Sequence, residues 1–249
     1  MVRSKTEIVI EKLQDIGREV NTQGYSFSCL QESFTLYWEL MFGSQIEFTK
    51  EQIVFSEPQQ IGDMVEKRGF GDLYTIYSLL PKRLQQKCTV EDVKEVYAKS
   101  VGGWVDMFRR ADSIAVGHYN LTEDRCYVST VYLDQSVSLG NHQITTAGHE
   151  LTHRYVHLQR MDYLSLREGK WLSLGGLEEQ FCVDVERDYG FYLFSSHAFE
   201  RIHENLAFSR KRLRSQMKEF NSPTKIKKYT DSRVNFYTAC LEGMLEKVE

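Results

Sequence analysis

His142-Gln-Ile-Thr-Thr-Ala-Gly-His149-Glu150-Leu-Thr-His153-Arg-Tyr-Val-His157-Leu-Gln-Arg160 is the stretch on which the reading of this chain turns. Ile144, Ala147, Leu151, Tyr155 and Leu158 recur at helical spacing and define one apolar face. His149 and His153 are four residues apart and share the opposite face. Glu150 lies about 100° further round. Such a helix seats its apolar side on a core and presents two imidazoles and a carboxylate to a cleft, which is the arrangement a catalytic metal centre needs.

Two histidines do not hold zinc firmly; a third protein ligand is required, with water in the fourth position. The chain downstream offers Asp162, Glu178, Glu179 and Asp184. Glu178 and Glu179 open a helix expected over Leu177–Tyr189 after the Gly175-Gly176 turn, with enough chain before it to fold back beside the first helix. His157 continues the row of histidines, but on an unbroken helix it sits roughly 12 Å along the axis from His149, too far to share one ion. It is expected to be a partly exposed residue of the polar face.

Outward from this stretch the pattern changes twice. Ser113–Tyr119 and Arg125–Leu133 are short, apolar and rich in β-formers, separated by the turn-like Asn120-Leu-Thr-Glu-Asp124, and predict a pair of antiparallel strands. Before them, helices are expected over Thr6–Val20, Ser28–Phe42, Leu73–Leu84 and Val90–Phe108, with Gly69 and Gly71 as punctuation. The last fifty or so residues read as helical and split near Asn221-Ser-Pro223. The fold class is α+β and predominantly helical, with a small antiparallel sheet before the histidine helix. It divides into an N-terminal helical region (1–110), a catalytic core (111–195) and C-terminal helices (196–249), packed as one unit.

His149-Glu-Leu-Thr-His153 resembles the active-site helix of the zincin metallopeptidases. Leu177-Glu-Glu-Gln-Phe-Cys182 resembles the L-N-E-G-F-A segment of a family of zinc aminopeptidases, in which the Glu is the third zinc ligand; letter for letter, that ligand falls on Glu179. Both comparisons point to the gluzincin branch. The metzincin pattern, with Gly and a third His at fixed positions, is absent. The resemblance implies a zincin-like core around residues 113 to 190, a Zn2+ ion held by His149, His153 and Glu179, and Glu150 as the general base of peptide-bond hydrolysis. It also implies an edge strand that pairs with an extended peptide or protein substrate. Related families place an Asp four residues after the ligand Glu to orient the first His. Here that position is Val183, with Asp184 one further, so Glu178 stands as a rival ligand to Glu179. Tyr189, Tyr192 and His197 are the candidate donors to an oxyanion, and Cys182 is either a core thiol or a redox-sensitive one.

The remaining composition narrows the alternatives. Hydrophobic residues are 41% and charged residues 27% of 249, ordinary for a globular chain, and the net charge of −4 marks neither a nucleic-acid binder nor an acidic tail. Five cysteines without a C-x-x-C suit a reducing compartment. The charged N-terminus does not resemble a signal peptide, and no apolar run is long enough for a membrane span, so a cytoplasmic location is expected. Neither a phosphate-binding G-x-x-x-x-G-K nor a G-x-S-x-G nucleophile motif occurs. Within 209–228, Arg210, Lys211, Arg212, Arg214, Lys218, Lys225, Lys227 and Lys228 face a single acid, Glu219. That stretch is either a solvated helix face or a contact for nucleic acid or another anionic partner. Three functions compete: a zinc-dependent metallopeptidase, a catalytically silent zincin-like binding module, and a helical interaction protein in which the histidine motif is accidental.

Overall fold

Ser4 starts the first helix, α1 (Lys5–Gln23), by a reciprocal cap: its Oγ accepts from the Glu7 amide, and the Glu7 carboxylate accepts from the Ser4 amide. Ser26 caps α2 (Phe27–Phe42) by accepting from the Cys29 amide, and Gly43 ends it in the left-handed conformation, φ 73°. The computed structural model describes residues 3–100, 116–131, 138–165, 176–198, 202–220 and 222–246. A short 3-10 turn (Lys50–Gln52) leads into strand β1 (Ile53–Ser56). Helices α3 (Pro58–Leu79), α4 (Lys82–Gln85) and α5 (Val90–Ser100) follow. Strands β2 (Gly117–Asn120) and β3 (Arg125–Ser129) precede the long histidine helix α6 (Leu139–Ser165). Three helices complete the chain: α7 (Gly176–Phe194), α8 (Ile202–Phe220) and α9 (Pro223–Leu245).

The architecture is predominantly helical with one small sheet, as expected, but two local readings are corrected. The sheet is mixed, in the order β1-β3-β2: β2 pairs antiparallel with β3, while β1 runs parallel to β3 with Ile53 opposite Cys126. A parallel neighbour needs a long crossover, here the α3–α5 segment, so a hairpin reading of 113–133 alone could not supply it. The helix expected over Leu73–Leu84 is broken at Leu80, which is extended (ψ 155°) because Pro81 follows it. The helix before the break begins at Pro58 and runs through Gly69 and Gly71. The parts of the predicted strands at 113–115 and 132–133, of the predicted helix at 101–108, and Gly175 of the predicted turn lie outside the described residues.

Packing divides into two apolar clusters. The larger joins α1 and α2 to α6 and α7 around Ile10, Leu13, Phe34, Tyr37, Trp38, Leu151, Phe181 and Val185. Its aromatic rings interlock: Phe34 meets Tyr189 edge-on at 5.1 Å, and Trp38 lies 4.6 Å from Tyr155. The smaller joins α3, α4 and α5 to α9 through Leu73, Ile76, Leu80, Val93, Tyr237 and Leu241. The turn between β2 and β3 is tied to α6 by Asp124, whose carboxylate accepts from Arg154 Nε (2.8 Å) and Nη2 (3.0 Å), Tyr119 Oη (3.0 Å) and Gln52 Nε2 (2.6 Å). No helix among the described residues is long and apolar enough to cross a membrane.

α1 crosses α7 so closely that a Cβ on Gly17 would stand 2.0 Å from the Leu193 carbonyl oxygen. Backbone cannot yield as a side-chain tip can. Gly17→Ala is therefore expected to destabilise the fold by about 1–3 kcal/mol or more in urea unfolding. Gly62→Ala, in α3 with nothing within 4 Å of the new methyl, is expected to be neutral or to stabilise by up to about 1 kcal/mol. Equal effects at the two sites would contradict this account of the α1–α7 contact.

Candidate metal centre

α6 is seated by Ile144, Ala147 and Leu151, all without exposed surface. Gly148 lets it approach: a Cβ there would meet Phe34 and Tyr189 at 3.0 Å. Leu158, expected on the same face, is exposed because the core ends before it. With the helix held this way, His149 and His153 turn towards α7, and their Nε2 atoms stand 3.1 Å apart.

Each imidazole is fixed from behind. His149 Nδ1 donates to Glu186 Oε2 at 3.0 Å, and His153 Nδ1 donates to Glu178 Oε1 at 2.7 Å. With Nδ1 as the donor, a neutral ring presents a lone pair at Nε2. Glu179 faces these two atoms: its Oε1 is 3.5 Å from His149 Nε2 and its Oε2 is 3.3 Å from His153 Nε2. The two glutamates are thus distinguished. The Glu179 side chain is 58% exposed and lies on the open side of the pair, whereas that of Glu178 is 2% exposed and lies behind His153.

Two imidazole nitrogens 3.1 Å apart, with one oxygen of the Glu179 carboxylate 3.5 Å from the first and the other 3.3 Å from the second, form a group that one ion could join. Two nitrogens at zinc distances and the tetrahedral angle are separated by about 3.4 Å. Without a metal, a proton on one ring bridges that gap as a hydrogen bond. Buried His, Glu and Cys groups here can hold a metal ion; Cys182 also lies within reach, its sulfur and a nitrogen of each histidine falling within 4.8 Å of one another.

The surrounding acids set the charge. Burial alone lowers the pKa of His149, but hydrogen bonds to Glu179 and Glu186 and the charge of Glu150 outweigh it and hold the imidazole well above its usual range. For His153, burial is likewise outweighed, by Cys182, Glu178 and Glu179. Burial raises Glu179, but its hydrogen bonds to the two histidines and their charges bring it below the usual carboxylate range. The metal-free pocket is therefore built to hold positive charge, as two protons or as one dication.

Glu150 is buried on α6 beside β2. A Cβ on Gly117 would lie 2.5 Å from Glu150 Oε1 and 2.7 Å from Thr146 Cγ2, so only glycine leaves the carboxylate its place.

Several expectations for single residues are corrected. His157 is not a partly exposed polar-face residue: it is 1% exposed, covered by the Tyr119 ring at 5.4 Å, and its Nε2 donates to Glu178 Oε1 at 2.9 Å. Glu178 thus bridges His153 and His157 behind the pair. Asp184 faces away, accepting from Gln180 Nε2 (3.2 Å) and Gln216 Nε2 (3.0 Å). The Asp162 side chain lies outside the described residues. Tyr189 donates or accepts at Ser33 Oγ (2.5 Å), and Tyr192 packs in the core against Tyr37, so both serve the interior. His197 lies on the turn that follows α7. Glu186 is not among the residues expected from the sequence. It sits seven residues after Glu179, one turn beyond the position at which related families carry an orienting acid, and the spacing 179, 182, 186 marks that face.

The basic stretch is largely engaged within the chain. Arg210 Nε and Arg214 Nε donate to the Leu40 and Met41 carbonyls at the end of α2, each at 2.7 Å. Arg212 lies 3.6 Å from Asp184, and Lys225 and Lys227 pair with Glu219 and Asp231.

Compared with models of protein families, with curated proteins and with solved structures, the chain matches none. Its functional reading rests on the geometry above.

Because both imidazoles hold protons above their usual range, an entering cation must displace them. Metal binding is expected to release one to two protons per ion and to weaken as pH falls, by up to about tenfold per pH unit for each proton displaced. Calorimetric titration in two buffers of different ionisation enthalpy measures the release. Affinity independent of pH would contradict the protonated, carboxylate-ringed pocket.

Proposed function

We propose that the chain is a zinc-dependent metallopeptidase of the zincin type and gluzincin branch, with His149, His153 and Glu179 as ligands and Glu150 as general base. The observation that carries the reading is the convergence of two imidazole Nε2 atoms and the Glu179 carboxylate within 3.5 Å of one another. Glu150 lies one residue from the first of these histidines. Zinc, when bound, supplies a Lewis acid that lowers the pKa of its water towards ~7.

The chain's own residues do the rest. Glu150, on the side of α6 that meets β2, takes the proton of the attacking water and returns it to the departing amine. Glu178 and Glu186 keep both imidazoles in the tautomer that presents Nε2. Gly117 leaves room for the Glu150 carboxylate. β2 is an outer strand among the described residues, and an extended peptide is the substrate that matches such a strand beside a general base. The activity belongs in the cytoplasm on this reading, since free thiols are consistent with a reducing compartment.

Two variants test the assignment with a fluorogenic peptide library as substrate. Glu150→Gln is expected to keep the ion and lose at least about 100-fold in turnover; full hydrolysis by this variant would rule Glu150 out as the base. Gly117→Ala is expected to keep the ion while lowering kcat by up to about 100-fold, because the methyl displaces the carboxylate. Unchanged kcat in a folded Gly117→Ala protein would show that β2 does not position Glu150.

A further inference from the structure

Besides Glu178, which lies behind His153, α7 turns Glu179, Cys182 and Glu186 towards the histidine pair. Glu179 meets both Nε2 atoms, and Glu186 meets the Nδ1 of His149. Cys182 lies between them, one turn from Glu179, with no exposed surface. Its sulfur and one nitrogen from each of His149 and His153 lie within 4.8 Å of one another. A thiol placed there is more than core filling, since the same helix face already supplies an oxygen to the same two rings.

We propose that Cys182 is a fourth protein donor to the ion held by His149, His153 and Glu179. The inference rests on the metal-centre reading and extends its ligand set from two nitrogens and an oxygen to include a sulfur. Binding replaces the S–H bond with a sulfur–metal bond and releases the proton to solvent. Two neutral imidazoles, one carboxylate and one thiolate match the charge of a dication, with Glu150, Glu178 and Glu186 outside that set. The soft donor also selects: zinc, cobalt(II) and cadmium are favoured over magnesium and calcium, which prefer oxygen. Four protein donors close the centre, whereas hydrolysis needs an open position. For hydrolysis the sulfur–metal bond would have to break and the thiolate take a proton back from solvent, leaving its position to water.

Cobalt(II) titrated into the metal-free full-length protein tests this by absorption. The expected spectrum has visible d–d bands together with a near-ultraviolet sulfur-to-cobalt charge-transfer band. In Cys182→Ser and Cys182→Ala the charge-transfer band is lost while cobalt is still taken up. Zinc affinity is expected to fall by more than about 100-fold, beyond the roughly 10–100-fold that loss of an outer partner costs. Visible bands without the sulfur band in the unmodified protein would overturn the proposal and leave the three-donor centre standing, as would a sulfur band that persists in both variants. No cobalt uptake at all would overturn both. If neither variant folds, the absence of the sulfur band from the unmodified protein still overturns the proposal.

Discussion

The contact between α6 and α7 is the constraint on which the rest depends. Two imidazoles from one helix are each held at Nδ1 by a carboxylate from the other, Glu186 and Glu178. These bonds fix the tautomer and the ring planes together, and they aim both Nε2 atoms at a single point beside Glu179. Remove either bond and the ring is free to turn, or to present a proton where a lone pair is needed. Leaving one member of the buried His153–Glu178 pair alone typically costs about 3–5 kcal/mol, so the site and the fold share this interaction.

Bringing four carboxylates, Glu150, Glu178, Glu179 and Glu186, around two histidines is unfavourable for a folded chain unless positive charge is present. The interior offsets the cost elsewhere. Phe34, Tyr37, Trp38, Phe181 and Tyr189 bury large aromatic surfaces directly behind the site, and α1 is drawn onto α7 at Gly17 to close it. Arg210 and Arg214, conspicuous in the sequence as part of a basic stretch, finish α2 by capping its last carbonyls. The helices outside the centre thus hold its two walls at a fixed distance. The sheet closes a third side, with Gly117 against Glu150 and Tyr119 over His157.

Much of this was legible in the residues. Apolar periodicity gave α1, α2, α6 and α7 to within about five residues at each end, and the letters around Glu179 pointed to the glutamate that meets both Nε2 atoms. What escaped depended on contacts between distant segments. β1 is four residues long and its partner β3 lies far along the chain, so no local pattern announced it. The burial of His157 comes from Tyr119 and Glu178, neither of which is on its own helix. The family pattern places an orienting acid one turn after Glu179, whereas here the longer side chain of Glu186 reaches His149 from two turns away. The break at Pro81 was readable in principle, since the residue before a proline is biased out of the helical region.

The central claim is that these residues form a metal centre. Elemental mass spectrometry of the purified, tag-free protein tests it most directly, with His149→Ala measured beside it. The account predicts about one zinc per chain, held by His149, His153 and Glu179, and its loss in a folded His149→Ala protein. A chain that stays metal-free after zinc is offered, or a variant that keeps its full equivalent, would contradict it.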